Sequence, residues 1–328
     1  MSARYELIGL TASPYSMKVR ALMRYRRIPF DWIVEMPQFS GRPVAVAPVL
    51  LPILRHPMGR DMTDSTAIAH MLEREIVNDR RVMPEGARAF LCHLIEDLAD
   101  EWLTKAMFWY RWRDEASADF ATGWIVAELR AGGARVDPAT LGPVIHTRQR
   151  GRMEMIGAVP ANAPVIEAGF RDVLAALAPI CAGRGYLFGT RPSLADFALF
   201  GQLSQLGTDP APAAILRDEA PEVLHWLRRI DDASGVEGAW GSGAEGLEPL
   251  LTIAGRDYLP FLAANEAALA AGRDMVEVEL GSGPFRNRAY RWQAKCLARL
   301  KALHAEAELD TATRALLDRT GCTAILAA

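Results

Sequence analysis

Over the first eighty residues the chain alternates between short apolar runs and one-sided helical spacing. Residues 5–10 form a compact apolar run that predicts a buried strand. Thr11-Ala12-Ser13-Pro14 ends it. Ser13 suits an N-cap, and Pro14 suits the first helical position, where a missing N–H costs nothing. Tyr15, Val19, Leu22 and Met23 then recur on one helical face, with Lys18, Arg20, Arg24, Arg26 and Arg27 filling the rest. The basic residues thicken toward the C-terminal end, where the helix dipole favours cations. Pro29 closes the helix, and residues 30–34 predict a second strand. The result is a β-α-β unit with parallel strands and a right-handed crossover. A Pro- and Gly-rich loop over 37–48 leads to a third strand over 50–54, interrupted by Pro52. A proline there requires an edge, a bulge or a cis bond. Met62-Thr63 makes a short fourth strand. Asp64-Ser65 opens a helix that places Ile68, Met71, Leu72 and Ile76 on one face.

Beyond residue 84 the pattern becomes helical. Residues 90–113 predict a long helix, 164–181 a second and 193–206 a third. The third opens with the capping-box pattern Ser193-Leu194-Ala195-Asp196. Residues 221–232 make a short amphipathic helix. The stretch 132–164 is rich in Gly and Pro and reads as partly irregular, and the five glycines between 235 and 246 read as a linker. After it come a helix over 257–271 and a strand over 275–280, where Val276, Val278 and Leu280 alternate with Glu277 and Glu279. A turn over 281–284 and a helix over 290–307 follow.

The chain has 328 residues, 50% of them hydrophobic and 23% charged, which implies two or three folded domains rather than disorder. The net charge of −3 carries no clustered basic excess and argues against a dedicated nucleic-acid binder. Cys92, Cys181, Cys296 and Cys322 lie far apart. They read as thiols of a reducing compartment, not as a disulfide framework or zinc site. The N-terminus lacks a signal-peptide pattern, and the longest uncharged apolar stretch, 43–54, holds three prolines and is too short to span a bilayer. The expectation is a cytoplasmic protein without membrane or nucleic-acid partners.

His93, Glu96, Asp97, Asp100 and Glu101 look at first like a metal cluster. The repeated Glu-x-x-His of carboxylate bundles is missing, so a solvated acidic helix face is expected, with no metal. Metalloprotease, P-loop and dinucleotide-binding motifs are also missing. Seven aromatic residues crowd positions 102–124: Trp102, Phe108, Trp109, Tyr110, Trp112, Phe120 and Trp124. Trp102, Ala106 and Trp109 share one helical face, and Phe108 and Trp112 another. That exceeds what one core contact needs, so part of the set is expected to line a pocket. Core packing or a dimer interface is an equal reading for each residue.

Ser13-Pro14-Tyr15-Ser16, Leu51-Pro52, Asp64-Ser65 and the late segment from Tyr186 to Phe197 occur in a telling order. Singly, each is a helix start, a strand end or a cap. Jointly, over about residues 4–232, they resemble the glutathione transferase superfamily, and the stretch Ser13 to Arg20 looks most like its serine-type and omega-like soluble classes. The resemblance implies an α+β fold: a thioredoxin-like glutathione-binding domain over 1–83 and an all-helical domain over 84–246. It leaves 247–328 as a C-terminal extension outside the pattern. It also implies a homodimer, with glutathione as cosubstrate.

A thiol reacts as thiolate, and a free thiol has a pKa of about 8.5. Ser13 offers both a hydroxyl and the positive end of a helix, so the resemblance makes it the residue that stabilises the glutathione thiolate. Ser16, at the second position of the thioredoxin-like motif, is a secondary candidate. A cis bond between Leu51 and Pro52 would turn the Leu51 peptide groups toward the tripeptide backbone. Ser65 and the helix amides suit the γ-glutamyl carboxylate, and Asp64 its ammonium. Gln38 and Arg42 are the side chains on hand for the glycyl carboxylate. Tyr15, Trp109 and Trp112 are the candidates for the acceptor pocket, whereas Ser193 and Asp196 are structural. The expected activity is transfer of glutathione to an apolar or aromatic electrophile. A serine at position 13 disfavours disulfide exchange through the protein itself. The alternatives are a non-catalytic binding protein of the same fold, or a glutathione-dependent lyase, isomerase or dehalogenase.

Overall fold

The computed structural model describes residues 4–135, 137–241, 243–244 and 246–328. Strand β1 (Tyr5–Gly9), helix α1 (Pro14–Tyr25) and strand β2 (Phe30–Val34) form the expected unit, β1 and β2 running parallel with Tyr5 opposite Phe30 and Gly9 opposite Val34. A single helical turn, α2 (Pro37–Ser40), precedes β3 (Ile53–Arg55) and β4 (Asp61–Met62). The sheet order is β2-β1-β3-β4, and β3 is antiparallel to both neighbours. The third strand thus begins after Pro52, whose ring denies the ladder a donor. Helix α3 (Ser65–Glu75) follows directly.

Helix α4 (Ala87–Leu98) runs through a π-helical turn, Ala99–Leu103, into α5 (Thr104–Trp112), so the long helix expected there is real but underwound at its centre. Helix α6 (Glu115–Ala131), α7 (Pro138–Arg150) and α8 (Met153–Ile156) come next. The stretch read as partly irregular is therefore mostly helical, its pattern hidden by Gly142 and Pro143. Helices α9 (Ala163–Ala182), α10 (Leu194–Leu206), α11 (Pro210–Glu219) and α12 (Pro221–Asp231) complete this part, and Ser193 and Asp196 make the expected capping box on α10.

Helix α10 packs along α1. A side chain at Gly201 would put its Cβ 2.6 Å from the Pro14 carbonyl oxygen, so the close approach of these helices requires glycine. The glycine-rich segment read as a linker is a strap instead: Gly241 N–H donates to Phe188 O at 2.8 Å and Gly189 bridges Trp240.

The C-terminal residues form α13 (Glu248–Ile253), a second π-helical turn (Ala254–Tyr258), α14 (Leu259–Ala270), the antiparallel hairpin β5 (Met275–Leu280) and β6 (Gly283–Arg288), then α15 (Arg291–Glu306), α16 (Thr311–Arg319) and α17 (Thr323–Leu326). Strand β6 was not expected, because Pro284 and three arginine or asparagine positions obscure its alternation. These elements fold back on α4 and α5. The Trp102 ring meets Tyr258, Phe261 and Phe285, and Tyr258 Oη donates to Asp97 Oδ2 at 2.6 Å. One of the two aromatic faces on that helix is thereby accounted for. No helix among the described residues is long and apolar enough to cross a membrane.

Candidate functional site

Ser13 stands at the N-cap of α1 with extended backbone, and its Oγ accepts the Ser16 N–H at 3.3 Å. Pro14 has no N–H to lose, and the Tyr15 N–H, in the first turn, has no intrahelical acceptor. The corner therefore presents a half-buried hydroxyl beside a helix N-terminus.

The turn leading to Ser13 is clamped by three side chains of the helical part. Glu128 accepts the Thr11 N–H at 2.6 Å and the Ala12 N–H at 3.3 Å. Arg111 donates to Ala12 O at 3.0 Å, and Gln205 to Thr11 O at 2.9 Å. Buried Asp209 neutralises Arg111 at 2.8 Å. None of these was foreseen, because each lies about a hundred residues or more beyond the turn it holds.

Ser16 departs from expectation. It is wholly buried, and a Cβ on Gly9 would sit 2.5 Å from its Oγ. Its side chain faces strand β1 and offers no surface to a ligand.

The Leu51–Pro52 bond, just ahead of β3, is cis. Thr63 Oγ1 donates to Leu50 O at 2.8 Å, tying down that segment. Outside the strand ladder, the Leu51 peptide groups make no hydrogen bond among the described residues. Asp64 caps α3 by accepting the Thr66 N–H at 3.0 Å, at a φ of 75° that non-glycine residues rarely adopt. It is exposed, and Ser65 lies almost buried behind it. Arg42 is already engaged by Glu35 and Glu6, while Gln38 is exposed on α2.

The helix face expected to be solvated is instead a buried ion cluster beneath α1 and α3. Lys18 Nζ lies 2.6 Å from Glu96 and 2.5 Å from Asp100, and Thr66 donates to Glu96. Burial alone would lower the Lys18 pKa, but Asp100 and Glu96 outweigh it and raise it. Lys18 lies three residues after Tyr15 and four before Leu22, on the apolar stripe, which was the signal for its burial. Glu101, beside the cluster, accepts Trp292 Nε1–H at 2.8 Å and Gln293 Nε2–H at 2.9 Å, so the start of α15 reaches the same neighbourhood.

Two of the three pocket candidates belong to the core. Trp112 is buried, and Trp109 is buried with its Nε1–H donated to Glu167 at 2.8 Å. Tyr15 is only partly covered; its Oη donates to Asp100 O at 2.9 Å, and burial raises its pKa. A hollow of about 240 Å³ lies elsewhere, between α6 and α7, lined by Thr122, Val126, Arg130 and Pro138 among others. Exposed Glu115 and Asp119 and half-exposed His146 bring possible ligand atoms within 4.8 Å of one another, but Glu115 already pairs with Arg150.

Residues 7–78 match the family model of the glutathione S-transferase N-terminal domain, and residues 117–229 that of the C-terminal domain. Similar solved structures include a glutathione S-transferase of Methylobacterium radiotolerans in complex with glutathione sulfonate, 23% identical over 73% of this chain and 98% of that one, with a TM-score of 0.45. The β-etherase LigF of a Sphingobium species is 20% identical over 70% of this chain and 95% of its own, with a TM-score of 0.44. A glutathione transferase family member of Pseudomonas fluorescens with bound glutathione is 18% identical over 69% of this chain and 93% of its own, with a TM-score of 0.40. No curated protein sequence matches the chain.

Proposed function

The chain belongs to the glutathione transferase superfamily, with a thioredoxin-like N-terminal part and a helical C-terminal part, and on that premise we propose that it binds glutathione and activates its thiol at Ser13 for attack on a small electrophile. The observation that carries this reading is the state of the Ser13 hydroxyl. Its oxygen accepts the Ser16 N–H, which leaves its own proton free to donate to a sulfur anion. The N-terminus of α1 adds positive potential at the same spot. Both favour thiolate over thiol. The thiolate then forms a bond to the electrophilic carbon, and the leaving group departs with the electron pair.

The rest of the tripeptide has partners in reach of this reading. The free Leu51 peptide groups suit the cysteinyl backbone. Asp64 and Ser65, at the start of α3, suit the γ-glutamyl ammonium and carboxylate. With Arg42 neutralised, Gln38 is the better side chain for the glycyl end.

The test is Ser13→Ala. Conjugation of glutathione to an aryl halide is expected to fall about 10- to 100-fold, as for loss of a hydrogen bond to a charge. The bound thiol, followed by thiolate absorbance, should titrate closer to 8.5. Losing the N-cap also costs about 1 kcal/mol of stability, so a melting curve accompanies the assay. An unchanged rate and thiol titration would remove Ser13 from its role. Glutathione binding without turnover of any electrophile would make the protein a binding module.

A further inference from the structure

Arg152 occupies the turn between α7 and α8, half-buried, and no carboxylate pairs with it among the described residues. Its one side-chain hydrogen bond is long, Nη1–H to Gln149 Oε1 at 3.5 Å. The neighbouring charge is another cation, Arg148. A guanidinium drawn out of water without a counter-ion is costly, and burial lowers its pKa here. Other half-buried arginines find either a carboxylate, as Arg42 finds Glu35, Arg113 Glu167 and Arg256 Asp257, or backbone carbonyls, as Arg191 finds Asp79 O and Arg81 O and Arg229 finds Cys181 O.

What surrounds Arg152 is aromatic. Its guanidinium lies 5.8 Å from the centre of the Phe108 ring. Tyr15 and Tyr290 are near enough to act on its charge. Tyr15 is two residues beyond Ser13, and its hydroxyl is anchored on Asp100 O. Tyr290 comes from the C-terminal residues and is 44% exposed. Its backbone is held on both sides by Asn265, N–H to Oδ1 at 2.8 Å and O from Nδ2 at 3.0 Å. One uncompensated cation thus lies over the Phe108 ring and within electrostatic reach of Tyr15, in the first turn of α1, and of Tyr290, from the C-terminal residues.

We propose that Arg152 binds the anionic group of the acceptor: the electrophile is an aromatic compound carrying a carboxylate or similar anion, its ring against Tyr15 and Tyr290 and its anion on the guanidinium. The inference rests on the reading of Ser13 given above. Planar guanidinium and carboxylate match in shape and charge, and desolvation strengthens the pair. The C-terminal residues then select the substrate through Tyr290 as well as supporting the core.

The experiment compares para-(chloromethyl)benzoate with its methyl ester, two electrophiles that differ in one charge. In both, the glutathione sulfur bonds to the benzylic carbon and chloride leaves with the bonding pair. Relative to the uncatalysed rates, the full-length protein should favour the carboxylate about 10- to 100-fold in kcat/KM. Arg152→Ala should erase the preference through KM, with ester turnover and the glutathione KM within about twofold of wild type; Arg152→Lys should restore part of it. A preference that survives in Arg152→Ala overturns the proposal. So does a rise in the glutathione KM, which would place the tripeptide's own carboxylate on Arg152. Binding of unreactive para-methylbenzoate by calorimetry needs no glutathione. It should be lost in Arg152→Ala and retained in Ser13→Ala, so failure of the thiol reading is told apart from failure of this one.

Discussion

Among the described residues Lys105 Nζ has one polar contact, a hydrogen bond to the Ile156 carbonyl at 2.8 Å, and otherwise faces the rings of Phe261, Trp102 and Phe285. Burial, only partly offset by Glu101, lowers its pKa from 10.5 to about 7. Below pH 7 both native and unfolded chains hold the proton, and the native state bears the cost of an enclosed charge. Between pH 7 and 10.5 the unfolded chain keeps a proton that the native chain has released, so stability rises with pH across that window. The full effect is roughly 5 kcal/mol at most. Denaturant titrations at a series of pH values should show wild type gaining on Lys105→Met from pH 7 upward, and a constant gap between the two would refute the assignment. Lys18 shows the opposite balance: equally buried, it sits between two carboxylates and keeps its charge. The two lysines cannot be told apart in sequence, since the partners of Lys18 lie 78 and 82 residues away.

At the scale of elements, the turn before α1 depends on α5, α6 and α10 for its shape, because Arg111, Glu128 and Gln205 hold its peptide groups. Glu128→Ala leaves two N–H groups without their acceptor. It is expected to cost about 1–2 kcal/mol in a denaturant melt and to slow conjugation without weakening glutathione binding. Wild-type stability and rate in that variant would mean that Arg111 and Gln205 suffice. This clamp also marks the limit of what could be read beforehand. Strand β1, helix α1 and strand β2 were legible because cap, helical spacing and proline stop are all local signals. The same holds for the Asp64 cap of α3 and the capping box of α10. Ser16 was misplaced because a motif position says nothing about which way a side chain turns, and here it turns into the sheet. The acidic stretch of α4 was misread as solvated because its cover comes from α1, α3 and the distant residues 258, 292 and 293.

On the scale of the whole molecule, residues 248–326 complete a core that the rest of the chain leaves open. Besides the cluster on Trp102, His304 lies 5.3 Å from the Phe90 ring and Arg299 reaches His70 at 3.2 Å. A chain ending at Gly246 exposes Trp102, Phe90 and their neighbours as one apolar patch. It is expected to aggregate or self-associate by light scattering at concentrations where the full chain does not; a truncated protein with unchanged melting temperature and particle size would show residues 247–328 to be dispensable for the fold.

The order of synthesis gives the same arrangement a further consequence. Ribosomes release the N-terminal end first, so Trp102 emerges long before Phe261 and Phe285 exist to cover it. Until residues 261 to 285 are made, the nascent protein carries a bare tryptophan that these later residues shield.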